Sequence, residues 1–150
     1  MVRSEILLRR RARTVVLQVL LQDDLNTEID PGAADLFLRS RLRNAEQISP
    51  GLTEFAQSLV AGVRRNRTEL DALLSRTADN WSLGRMAVTD RNLLRMGAYE
   101  ILYTDTPDLV AIDEAVELAK RFGTAHSAHF VNGILDRFLA GHGRTQEGPA

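Results

Sequence analysis

Near the N-terminus, Arg9-Arg10-Arg11-Ala12-Arg13 places four guanidinium groups within about one and a half turns of a helix. A guanidinium stays charged, offers phosphate a planar fork of N–H donors and stacks on unpaired bases. The cluster therefore predicts contact with nucleic acid. The plain alternative is a solvated helix face, but the cluster contains neither lysine nor an interspersed acid. No recognition-helix motif for a duplex groove accompanies it, which favours single-stranded RNA over duplex DNA. Two further arginine groups, Arg39, Arg41, Arg43 and Arg64-Arg65 with Arg67, read as solvent faces.

Other residues that could do chemistry have less support. His126 and His129 stand three apart, a spacing that suits two metal ligands, yet no third ligand is suggested, and they read as surface histidines. Asp113 and Glu117 share a helix face as an acid–base pair would. Their place early in a helix, with Arg121 four residues after Glu117, reads instead as structural support. The ten glycines are scattered and form no phosphate-cradling loop. With no cysteine there is no disulfide, thiolate metal site or Cys nucleophile. The expectation is a protein that is not an enzyme and has no metal or other cofactor.

The elements that must position the arginines are helical. Leu8, Ala12, Val16, Val19 and Leu20 form the inner face of a first helix whose arginines fan around its other sides. Asp30-Pro31 starts a second, roughly 31–45, with Leu36, Phe37 and Leu42 facing inward. Leu52, Phe55, Leu59 and Val63 continue as Leu70, Leu73 and Leu74 past Asn66, as one long bent helix or two abutting ones. Around Asp90 to Tyr103, Leu93, Leu94, Gly97, Ala98, Ile101 and Leu102 fill a wide apolar arc, opposite Arg91, Arg95 and Tyr99. This is the expected central helix, and Gly97-Ala98 predicts the close approach of a crossing helix. Helices over 111–122 and 127–139 follow, the first with acids early, bases late and Gly123 as its stop. Residues 141–150 have no periodicity and read as a disordered tail.

No strand pattern or internal repeat appears, so the chain reads as all-α, a single domain over 1–140. Its 150 residues can bury a core, and 44% hydrophobic with 26% charged residues is ordinary for a soluble globular protein. No apolar run approaches a membrane span, and no signal peptide is evident, which suits the cytoplasm. The net charge of −1 hides an asymmetry, because Arg3, Arg9, Arg10, Arg11 and Arg13 face one acid, Glu5, in the first fourteen residues.

Taken in order, these segments resemble the NusB family of transcription antitermination factors. The resemblance runs from Arg9 to about Phe138. It is carried by Arg9-Arg10-Arg11-Ala12-Arg13 with Gln18, and by Gly62-Val63 with Asn66, Leu70 and Asp71. Trp81, Asp90-Arg91, Leu94-Arg95-Met96 and Ala98-Tyr99-Glu100-Ile101-Leu102 follow. Pro107, the run from Val110 to Lys120, Phe122-Gly123 and the run from Phe130 to Asp136 complete it. The resemblance implies six to seven helices in two packed bundles. It also implies a role in binding boxA RNA of ribosomal RNA leader transcripts together with NusE, a small-subunit ribosomal protein, in an antitermination complex on RNA polymerase. By resemblance, Arg9, Arg10, Arg11 and Arg13 belong to the RNA-binding segment, and Lys120, Ser127, Phe130 and Asn132 to the same RNA surface. Asp90 matches an acidic position that contacts NusE, and Leu21 sits near that contact, where many relatives carry Tyr. Two other readings stand beside this one. One is a NusB-like domain detached from an rRNA cytosine methyltransferase. The other is an interaction protein whose homodimer buries the arginines.

Overall fold

In a computed structural model, which describes residues 3–26, 28, 30–79 and 82–142, the regular elements are seven α-helices and a short 3-10 turn. The helices are α1 (Arg3–Leu25), α2 (Pro31–Ile48), α3 (Leu52–Arg65), α4 (Arg67–Thr77), α5 (Val88–Tyr103), α6 (Asp108–Phe122) and α7 (Ser127–His142), with the 3-10 turn at Leu83–Arg85 before α5. The all-α reading holds. Trp81 and residues 143–150 of the expected tail lie outside the described residues.

The chain divides into two compact units, Met1–Gly62 and Val63–Ala150. In the first, α1 packs along α2 and buries Ala12, Val16 and Leu20 with Leu38, Leu42 and Ala45. Leu36, expected inside, is 71% exposed, because the α2 stripe is set by Leu38, Leu42 and Ala45 at i, i+4, i+7. Asp30 caps α2, its Oδ1 accepting from the Gly32 amide at 3.1 Å. Asp35 joins α2 to α3 by accepting from Gln57 Nε2 at 2.7 Å while it ion-pairs with Arg39 at 2.8 Å. Both contacts hold the Asp35 carboxyl below its ordinary range, Arg39 more than Gln57. At Ser49-Pro50-Gly51 the chain reverses through Gly51, whose φ of 94° suits glycine. There the Glu46 carboxylate accepts from the amides of Gly51 (2.8 Å) and Thr53 (2.7 Å), capping α3.

The two abutting helices of the alternative are the ones found, since Asn66, at φ −104° and ψ 13°, ends α3 and α4 starts at Arg67. In the second unit α5 packs on α4, α6 and α7, the central place expected of it. Gly97 makes one crossing possible: a Cβ there would lie 2.6 Å from Leu135 Cδ1 of α7. Of the residues opposite the apolar arc of α5, Arg91 and Tyr99 are half-buried. Arg95 is buried, held by Asp71 through Nε–Oδ1 (2.7 Å) and Nη2–Oδ2 (3.0 Å), with Nη1 donating to Asn92 at 3.1 Å. At the exposed end of α5 the rings of Tyr99 and Tyr103 lie 5.3 Å apart, and the Tyr103 hydroxyl donates to Glu69 of α4.

Candidate nucleic-acid interface

Helix α1 presents its arginines unequally. Arg9 and Arg11 are exposed and Arg10 is half-buried, whereas Arg13 is 4% exposed, a correction to the picture of four arginines on a cationic surface. The reason is Phe55 of α3, whose ring carries the guanidinium of Arg9 at 4.5 Å and that of Arg13 at 5.1 Å. Arg13, four residues after Arg9, lies on the inner side of that stack. One aromatic ring thus holds two cations of α1, of which Arg9 stays exposed. Nothing in the sequence marks Phe55 for this role, since it reads as one more apolar residue of the α3 stripe.

The C-terminal candidates lie in the second unit, where α6 and α7 pack together. Lys120 is exposed in the last turn of α6 and donates to Glu117 Oε1 at 3.3 Å. Glu117 is therefore paired with Lys120, where the sequence suggested Arg121. Phe130, half-buried, is in the first turn of α7. Asn132 is exposed two positions later and so projects from a different side of α7. Ser127 is 1% exposed, its Oγ accepting from the Thr124 amide at 2.9 Å, so its side chain holds the α6–α7 turn and offers no free surface. Gly123 lets that turn close: a Cβ on it would meet Ser127 Cβ at 2.4 Å and the Ala119 carbonyl oxygen at 2.9 Å. Its φ of −95° is available to any residue, so close packing, not a left-handed stop, requires the glycine. Phe122, two residues after Lys120 and 44% exposed, adds an aromatic surface.

The residues expected at a protein contact differ in access. Leu21 lines a groove of about 600 Å³ between α1 and α2 with Gln18, Leu25, Ala33 and Phe37. Asp90, in the first turn of α5, is 9% exposed, and its Oδ1 has no hydrogen-bond partner among the described residues. The helix N-terminus supplies the field that favours a carboxylate there. No group of three His, Cys, Asp or Glu side chains among the described residues could hold a metal ion. No helix there is long and apolar enough to cross a membrane.

The exposed arginines on the first helix of this all-helical chain give it the chemistry of a candidate nucleic-acid surface. The NusB family model matches residues 10–140. The transcription antitermination protein NusB of Symbiobacterium thermophilum is 43% identical over 137 residues, 89% of this chain and 90% of that one. Among solved structures, NusB of T. maritima superposes with a TM-score of 0.79 at 39% identity, covering 93% of this chain and 95% of its own. A chain from a complex of the antitermination factors NusB and NusE with double-stranded RNA superposes with a TM-score of 0.76 at 25% identity, covering 90% and 98%. The chain belongs to the NusB family. The Symbiobacterium relative is matched over nearly its whole length, which leaves no room in it for a methyltransferase domain and gives that alternative no support.

Proposed function

We propose that this protein is a non-enzymatic, cytoplasmic transcription antitermination factor. It binds single-stranded boxA RNA of ribosomal RNA leaders together with NusE, within the antitermination complex on RNA polymerase. The observation that carries this reading is the arginine surface of α1, ordered over Phe55 in a helix with no acid between Glu5 and Asp23. Arg9, Arg10 and Arg11 meet the RNA. Arg13 acts as a positioning residue through Phe55, and Ser127 through the turn that sets Lys120 and Phe130. Phe130 suits base stacking, and Lys120 and Asn132 suit phosphate or base-edge contacts. Leu21 and its groove suit contact with NusE better than Asp90, which offers a partner little surface.

Fluorescence anisotropy with boxA-like, scrambled and duplex RNAs, with and without NusE, tests this. Selective binding of the single strand, tightened by NusE, is expected. Each phosphate contact on a single strand contributes about 0.7 to the log–log salt slope, so replacing Arg9, Arg10 and Arg11 with Ala flattens it by about two. An unchanged slope, or equal affinity for scrambled RNA, overturns the reading. A homodimer that covers the arginines would compete with RNA. Sedimentation equilibrium would then show a mass that falls toward one protein chain as RNA is added.

A further inference from the structure

Across the α1–α2 hairpin, an arginine of α1 reaches the backbone of an arginine of α2. Arg11 Nη2 donates to the backbone carbonyl of Arg41 at 3.4 Å, and the Arg41 guanidinium lies 5.1 Å from the centroid of the Phe37 ring. Both residues are exposed. The side chains three and four positions away on the same helix are Leu7, Leu8, Thr14 and Val15 around Arg11, and Phe37, Leu38, Asn44 and Ala45 around Arg41. None is acidic. Arg39, on the same helix, is a contrast, since it is paired with Asp35 at 2.8 Å. Glu46, the next acid along α2, is engaged by the Gly51 and Thr53 amides. Two exposed cations on adjacent helices, with no acid a turn away on either, present a field that favours an anion. The Phe37 ring holds one face of the Arg41 guanidinium and leaves its N–H edge open for a phosphate fork.

We infer that Arg11 and Arg41 form a second phosphate-binding point that carries single-stranded RNA from α1 onto α2. The inference rests on the RNA reading above and names a contact from a helix that the arginine-rich segment does not include. RNA is favoured over an acidic protein because Arg11 belongs to the Arg9-Arg10-Arg11 run on which the RNA reading already rests.

The test is a salt titration of single-stranded boxA-like RNA binding by Arg41→Ala, Arg41→Lys and Arg43→Ala. Arg43 is two residues from Arg41 on α2, points to another side and removes the same charge. Arg41→Ala weakens binding about fivefold at low salt, the loss of one charge-assisted contact, and lowers the slope by about 0.7. Arg41→Lys keeps the slope and loses part of the affinity, and Arg43→Ala changes neither. Should Arg41→Ala melt early, Arg41→Gln, which keeps the stem over Phe37, gives the same reading. A slope for Arg41→Ala equal to that of Arg43→Ala overturns the inference. So does weakened NusE binding with an intact RNA slope, which assigns the pair to a protein surface. If replacing Arg9 and Arg10 flattens the slope while Arg41→Ala does not, the RNA reading stands and only this contact fails. If neither replacement flattens it, both fail.

Discussion

Arg9 and Arg95 are alike in composition-level reading, each an arginine on the polar side of a helix. Their fates are decided by residues far away in sequence, Phe55 and Asp71. Because the Arg95 guanidinium is buried and doubly bound, removing its partner leaves a charge without compensation, and Asp71→Ala is expected to cost about 3 kcal/mol by urea denaturation. Gly123→Ala forces apart Ser127 and the Ala119 carbonyl, so it lowers the melting temperature through a loss of about 2 kcal/mol. It also weakens RNA binding by displacing the turn between Lys120 and Phe130. Gly123→Ala with wild-type RNA affinity would separate that turn from recognition. The sequence marks both glycines correctly as special, but only the Gly97 reason, a crossing helix, was legible. The Gly123 reason depends on where Ser127 lands, and a repeat of apolar residues carries no such distance.

Between elements, the informative contacts are caps and stacks. The Glu46 carboxylate receives the first free amides of α3, and the Thr53 and Gly51 hydrogen bonds, in that order, hold its carboxyl below the ordinary 4.5. A depressed value means that the stabilisation is present above the ordinary value and lost as pH falls through the lowered one. Glu46→Ala should therefore melt below wild type near neutrality, and the gap should narrow as pH falls below about 4.5 and close in stronger acid. A gap constant down to strong acid would assign the effect to packing. Phe55→Leu keeps an apolar side chain under α1 but removes the ring. It should weaken RNA binding several-fold with little loss of helical signal, since each cation–π contact is worth about 0.5–1 kcal/mol at exposed sites. Helix existence was legible from periodicity throughout. The α3–α4 break was not resolved, because Asn66 interrupts the chain for a single residue and the apolar spacing runs on past it.

At the scale of the molecule, a net charge of −1 coexists with an arginine surface on α1 because acids gather elsewhere. Binding of RNA should accordingly fall steeply with salt while thermal stability changes little over the same range, a pair of titrations that separates local field from net charge. The resemblance to NusB conveyed the helical plan and the arginine segment. It could not convey that Arg13 and Ser127 are buried, since a motif records residue type and order, and burial is settled by what packs on top.

The chain has two tyrosines, Tyr99 and Tyr103, and one tryptophan, Trp81, and all three fall within Val63–Ala150. The first unit is therefore dark at 280 nm, and aromatic emission reports on the second alone. Far-ultraviolet dichroism sees the helices of both. If the two signals unfold at one temperature, the units melt as one cooperative body. If emission lags or leads, the protein carries its own optical label for which half lets go first. The Tyr103 hydroxyl, its pKa raised chiefly by the hydrogen bond to Glu69, extends the label, because its alkaline absorbance change should come above that of an ordinary phenol until α4 and α5 separate.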